Sequence, residues 1–231
     1  MKKIFSTILI ILLPTIMYAH TLSSLRTQIR FTINDPSTDT VVQRWHDDQI
    51  NIVINEAQRQ ISDDSWCLHG STEISCITGT TSYALPNDCY AISRVLFNNS
   101  NILPQATIGS LDMNQSYWFK QSTGVPINYY WTWNNKIGLY YVPDIPYILD
   151  IDYIKEATDM VNDSDIPFDG NNRLNAYHEL IVWYASAYLM LCDKKTEATA
   201  FLSFYTNGLT RMKNQIGVSP NYGQYIGGKR E

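Results

Sequence analysis

Apolar positions along this chain recur first at helical spacing, then at strand spacing, then at helical spacing again. In "HTLSSLRTQIRFTI", Leu22, Leu25 and Ile29 fall three and four residues apart, and Thr21 precedes them as an N-cap, which predicts a first helix. "NDPSTDT", residues 34–40, then breaks the chain with turn formers. "HDDQINIVINEAQRQISDD" sets Ile50, Val53, Ile54, Ala57 and Ile61 on one face. Asp47 and Asp48 lie in its first turn, where negative charge suits the helix dipole, and the pattern ends near Asp63.

The period then changes to two. "STEISCIT" alternates Thr72, Ile74 and Cys76 against Glu73, Ser75 and Ile77, and Gly79-Thr80 turns into "SYALP", a combination that predicts a hairpin. "YAISRVLFNN" and "NILPQATI" are also extended, with a second turn at residues 98–101. In "GSLDMNQSYWFKQS", Leu111, Tyr117 and Trp118 predict a short helix. "PINYYWTWNNKIGLYYVP" holds two aromatic, alternating runs split by Asn134-Asn135, a further hairpin signal. A last strand, "YILDIDYIKEA", puts Ile148, Asp150 and Asp152 out of phase with Leu149, Ile151 and Tyr153.

Helical spacing returns in "RLNAYHELIVWYASAYLMLC", where Leu174, Tyr177, Leu180, Ile181, Tyr184, Tyr188 and Leu191 predict one long apolar helix. "TEATAFLSFYTNGLTRMKNQI" makes another, with Gly217 placed to stop it. The expected fold is α+β, with N- and C-terminal helices forming a bundle around an inserted antiparallel β-rich domain, followed by an extended C-terminal tail. The boundaries are an apolar leader at 1–19, N-terminal helices at 20–65, the β-rich insert at 66–156, C-terminal helices at 157–216 and the tail at 217–231.

Composition narrows the function. The chain has 231 residues, 45% hydrophobic and 17% charged, which is globular rather than disordered. Net charge is −5 with no basic run, so sequence-specific DNA binding is not expected, because phosphate neutralisation needs clustered Lys and Arg. Cys67, Cys76, Cys89 and Cys192 show no C-x-x-C spacing, and buried free thiols are the simpler reading than a Cys67–Cys76 bridge. In "NDSDIPFDGNN", Asp163, Asp165 and Asp169 resemble a calcium loop, but the twelfth-position Glu is missing; the expectation is an acidic capping loop. Asp150 and Asp152 share a strand face with no opposing acid in view, and His178-Glu179 lacks a second histidine at metal spacing. No enzymatic activity, cofactor or metal is expected.

The leader, "MKKIFSTILIILLPTIMYAHT", has the plan of a secretory signal with Ala19 at the cleavage point, although Met17 stands where a small residue is preferred. Against that stands the order of motifs in the rest of the chain. A helix ending "INEAQRQISDDSWCL" runs into "ISCITGTTSYALPNDCYAISRVLFNN", in which a strand closes on Leu85-Pro86 and an acidic residue, Asp88, precedes the next strand. Gly124, Pro126 and Tyr129 then introduce a hairpin whose return strand ends at Pro143. This series, from about Leu22 to Ile216, resembles the head-to-tail adaptor proteins of short-tailed and related bacteriophages, the head-completion or tubular tail protein A-like connectors.

The resemblance implies a structural virion protein assembled in the host cytoplasm at the head–tail junction. Copies would form a ring of twelve beneath the portal protein, extend the DNA channel and receive a tail nozzle or tail tube protein, with DNA passing through unread. It leaves the leader without a use; the alternative is a β-rich envelope-associated binding protein exported to the periplasm through residues 1–19. In the tail, Val218, Tyr222, Tyr225 and Ile226 are apolar or aromatic, which a solubilising end would not need, and they are the candidate contacts to portal or neighbouring copy.

Overall fold

A computed structural model describes residues 20–35, 43–98, 100–114, 118, 122–132 and 134–216. The leader, residues 36–40 of the 34–40 break, Tyr117, Gly217 and the tail contacts Val218, Tyr222, Tyr225 and Ile226 lie outside the described residues.

Helix α1 (Leu22–Ile33) starts where its cap predicts. Thr21 Oγ1 accepts from Ser24 N–H, and Ser24 Oγ accepts from Thr21 N–H at 2.8 Å, a reciprocal box that satisfies two orphan donors. Helix α2 (Asp47–Ser65) buries all five expected apolar positions and runs two residues past Asp63. Near the C-terminus, α4 (His178–Cys192) and α5 (Ala198–Ile216) complete the helical body, with α4 packed against α1, α2 and α5. The four helices share one core with Leu25, Ile29, Ile54, Ile61, Ile181 and Met212 at its centre, all fully buried.

Between α2 and α4 the chain makes strands β1 (His69–Ser75), β2 (Ser82–Ala84), β3 (Cys89–Phe97) and β4 (Asn101–Ile102), then short helix α3 (Ile108–Asn114). Strands β5 (Thr123–Gly124), β6 (Asn128–Thr132), β7 (Lys136–Tyr140), β8 (Val142–Pro143) and β9 (Ile148–Lys155) follow. Their sheets are β1-β9-β3-β4, β2-β7-β6 and the parallel pair β5-β8. A second core joins the first two sheets through Val95, Ile137, Leu139, Leu149 and Ile151, all at 0% exposure. The β9 alternation is as expected, with Leu149, Ile151 and Tyr153 inward. The β6–β7 hairpin and the β3–β4 turn also form, Asn135 and Asn98 each taking the left-handed backbone that asparagine tolerates.

Three expectations are corrected. β1 and β2 are not a hairpin: β1 pairs with β9 and β2 with β7, so the Gly79 turn hands the chain from one sheet to the other. Tyr83 pins that turn, its hydroxyl contacting Ile77 N–H and both the Ile77 and Thr80 carbonyls. The long C-terminal helix is shorter than its pattern, because residues 172–177 form a 3₁₀ turn and α4 begins only at His178. Within α4, Tyr188 and Leu191 are half exposed, while Ala185, Leu189 and Met190 face the core. A helix apolar on all sides carries no phase information in its periodicity.

The Leu85-Pro86 step marks the second crossing between sheets. Leu85 N–H donates to Asn135 O at 3.0 Å beside β7; Pro86 has no donor to continue the ladder, and Cys89 N–H closes the turn on Pro86 O. The Asp88 carboxylate turns to side chains and not to the turn's backbone. It accepts from Tyr153 Oη at 3.2 Å and lies 3.7 Å from Lys155 Nζ. β3 then bends through two register shifts against β9, between Cys89 and Ala91 and between Ile92 and Arg94.

Candidate assembly surfaces

The β-rich segment is fastened to the helices by a polar joint built from α2. Gln58, at 0% exposure, sits on the buried face because Ile54 and Ile61 lie four and three residues away. Its Nε2 donates to Thr158 O at 2.8 Å and to Asn55 Oδ1, and its Oε1 accepts from Phe168 N–H at 3.3 Å. Asn55 holds both backbone groups of Met160, at 2.9 and 3.0 Å. The segment so gripped contains three successive left-handed residues, Phe168, Asp169 and Gly170, a conformation that two side-chain-bearing residues adopt only when held there.

Lys155, at the end of β9, adds a charge contact to this joint through Asp169 at 2.7 Å. That hydrogen bond, outweighing partial burial, raises the lysine above its ordinary value. Burial alone would raise the Asp169 carboxyl, but Lys155 and the Thr158 N–H hold it below the usual carboxylate range. The candidate calcium-loop acids are therefore each engaged. Asp163 pairs with Arg26 at 2.6 Å, Asp165 accepts from the Val161 and Asn162 N–H groups, and Asp169 takes Lys155. Among the described residues no group of three or more His, Cys, Asp or Glu could hold a metal ion. Asp152 is held by Arg94 on the outer sheet face.

At the other end of α1, Arg30 is 7% exposed and surrounded by acceptors: Asp35, Gln43, the Trp45 carbonyl and Asp47. Burial would raise the Asp47 carboxyl; the Arg30 and Arg26 contacts outweigh it and keep the group below its ordinary value. His178 is fully buried where the chain enters α1. Its Nδ1 accepts from His20 N–H at 3.1 Å, so the proton resides on Nε2, which has no partner. Burial, with His20 adjacent, lowers this imidazole to about 4. Cys67, Cys76 and Cys89 are buried free thiols, and burial raises each of them; Cys192 is exposed. These are structural roles; the buried thiols and the acidic loop were expected from the sequence, while Gln58, Arg30 and His178 were not.

The surface carries apolar groups that the core does not use. Where α4 and α5 cross, a depression of about 240 Å³ is lined by Tyr177, Leu180, Trp183, Phe204, Gly208 and Arg211. Gly208 permits the close crossing, since a Cβ there would meet Leu180 at 2.4 Å. Phe204 at this depression, and Tyr188 and Leu191 elsewhere on α4, are each about half exposed. Among the described residues, no helix is long and apolar enough to cross a membrane.

A helical body that leaves apolar side chains exposed, joined to a β-rich segment with its own core, offers surface for contacts with other proteins. The chain matches the model of the SU10 adaptor protein family over residues 20–224, and it belongs to that family of phage head-to-tail adaptors. Its role is structural, at the head–tail connection of the virion. No curated protein matches the sequence.

Proposed function

We propose that copies of this chain form a ring of twelve beneath the portal protein, extending the DNA channel and receiving the tail nozzle or tail tube protein. The family match across residues 20–224 carries this reading. The helical body supplies side-by-side contacts through the outer faces of α4 and α5, where Tyr188, Leu191 and Phe204 lie in the open. Contacts between unlike faces of one chain generate a closed ring when the rotation between copies closes. The β-rich insert, residues 66–156, and the helical body, residues 20–65 with 157–216, act as two folding units. The tail residues Val218, Tyr222, Tyr225 and Ile226 form an arm that grips the portal or a neighbouring adaptor. With net charge −5 and no basic run, the channel lets DNA pass without reading it. Inactivating the gene in the phage tests the role. The expected product is DNA-filled heads that carry portal but no tail and leak their genome; normal tailed particles would refute it.

A further inference from the structure

The β1 strand is an open sheet edge. It pairs with β9 on one side only, in the order β1-β9-β3-β4. Lys155 N–H donates to Leu68 O and Cys76 N–H to Tyr147 O, so residues 68, 70, 72, 74 and 76 direct their backbone groups at β9. The alternate residues, His69, Ser71, Glu73 and Ser75, direct theirs away from it. Among the described residues, none of those four has a backbone partner on the outer side. Other edges are shorter or closed. β4 has two residues and β2 three, while the outer edge of β6 bonds Pro104 O and Ala106 N–H through Tyr129. Natural edges are usually guarded by charged side chains, proline or a bulge; β1, "HGSTEIS", carries one charge, Glu73, and neither lysine nor proline.

Side chains at this edge are also incomplete. Ile74 packs against the β core yet is only partly covered, as is Thr72, because no strand lies beyond them. Glu73 stands opposite Asp150 in the β1–β9 register, two like charges with no ion-pair partner among the described residues. The occupant must therefore bring an extended backbone, alternating apolar side chains and positive charge.

We infer that residues 221–226 of a neighbouring copy's tail add to β1 as a fifth strand. In an added strand "NYGQYI" would put Tyr222, Gln224 and Ile226 on one face, toward Thr72 and Ile74, and Lys229 and Arg230 bring the positive charge that follows it. Tyr177 Oη bonds Gln215, so α5 ends beside the start of α4, and Asp64 near the exit of α2 accepts from Tyr205, eleven residues before the end of α5 at Ile216. The link from Ile216 to Asn221 spans up to about 17 Å extended, close to the roughly 16 Å radius of gyration of a body of this size, so the acceptor is the edge of the copy packed directly alongside. Donor strand and acceptor edge are different surfaces of one chain, so each exchange leaves both open for the next copy around a ring. This rests on the ring proposed above.

The test uses the full chain with a photo-cross-linking amino acid replacing Tyr222, assembled on portal rings. Cross-links from one copy to residues 69–75 of another, giving a ladder of multimers, are expected. Cross-links within one chain, to the portal, or to any other surface overturn the inference while leaving the ring intact. Failure to assemble on portal at all overturns the ring and this inference with it. A second variant, Glu73→Pro, removes an outward N–H without touching the β9 ladder, so the fold is retained. The inter-copy cross-link should fall about tenfold or more. An unchanged yield in a folded Glu73→Pro protein refutes strand addition, and Glu73→Ala, which keeps the N–H and loses only the charge, should weaken the link less than Glu73→Pro.

Discussion

Replacing Gln58 by leucine tests whether the polar joint holds the β-rich segment to the helices. Leucine fills the space of the glutamine stem but offers no donor for Thr158 O and no acceptor for Phe168 N–H, 2.8 and 3.3 Å away. Phe168 is fully buried, so water does not replace the lost partner without opening the structure. Orphaning a buried backbone group costs about 1–3 kcal/mol, and that cost falls on the Phe168 N–H alone, because Thr158 is exposed and water takes over its carbonyl. Against the roughly 5–15 kcal/mol by which a domain of ordinary size is stable, the loss is measurable. Urea unfolding followed by tryptophan fluorescence would read the total loss, and hydrogen exchange at residues 158–170 its location. Because Asn55 and Gln58 contact each other, Asn55→Ala combined with Gln58→Leu should cost less than the sum of the two. A loss below about 1 kcal/mol with unchanged exchange at Phe168 would show that the joint is held by packing and not by these bonds.

Three further outcomes follow from the geometry. His178 has a folded-state value near 4 against an ordinary 6.5, so the unfolded chain binds the extra proton between those values. Stability should therefore fall by about 3 kcal/mol as pH drops from 6.5 to 4. His178→Phe should flatten that window in pH-dependent denaturation, and an undiminished slope would refute the assignment. Gly70→Ala places a Cβ 2.4 Å from the Tyr153 ring, which is buried and tied to Asp88, so the variant should lose about 1–3 kcal/mol in thermal unfolding; no loss would mean that the ring moves freely. Deleting residues 217–231 should leave the melting temperature of the isolated chain nearly unchanged and abolish stable docking on portal rings, measured by co-sedimentation.

The sequence revealed most where an element is amphipathic and least where its partner is distant. Leu22, Leu25 and Ile29 in α1 and the five apolar positions of α2 mark buried faces because their other sides are polar. The Asn134-Asn135 turn names its own strands, since both lie within a few residues. β1 gives no such information: its alternation fixes which side chains face inward, but its partner, β9, lies some seventy residues later. The same distance hides the joint, where α2 meets residues 158–168. Gln58 could have been found, because a polar residue four after Ile54 and three before Ile61 stands on the buried face. Arg30 could not, since its acceptors come from the loop before α2 and from α2 itself.

Native mass measurement of the purified chain, alone and mixed with portal rings, tests the adaptor account most directly. The account predicts a monomer alone and, on the portal, a single closed complex that gains twelve copies of the chain. A stable free dimer, or portal rings that leave the mixture without bound chain, would contradict it.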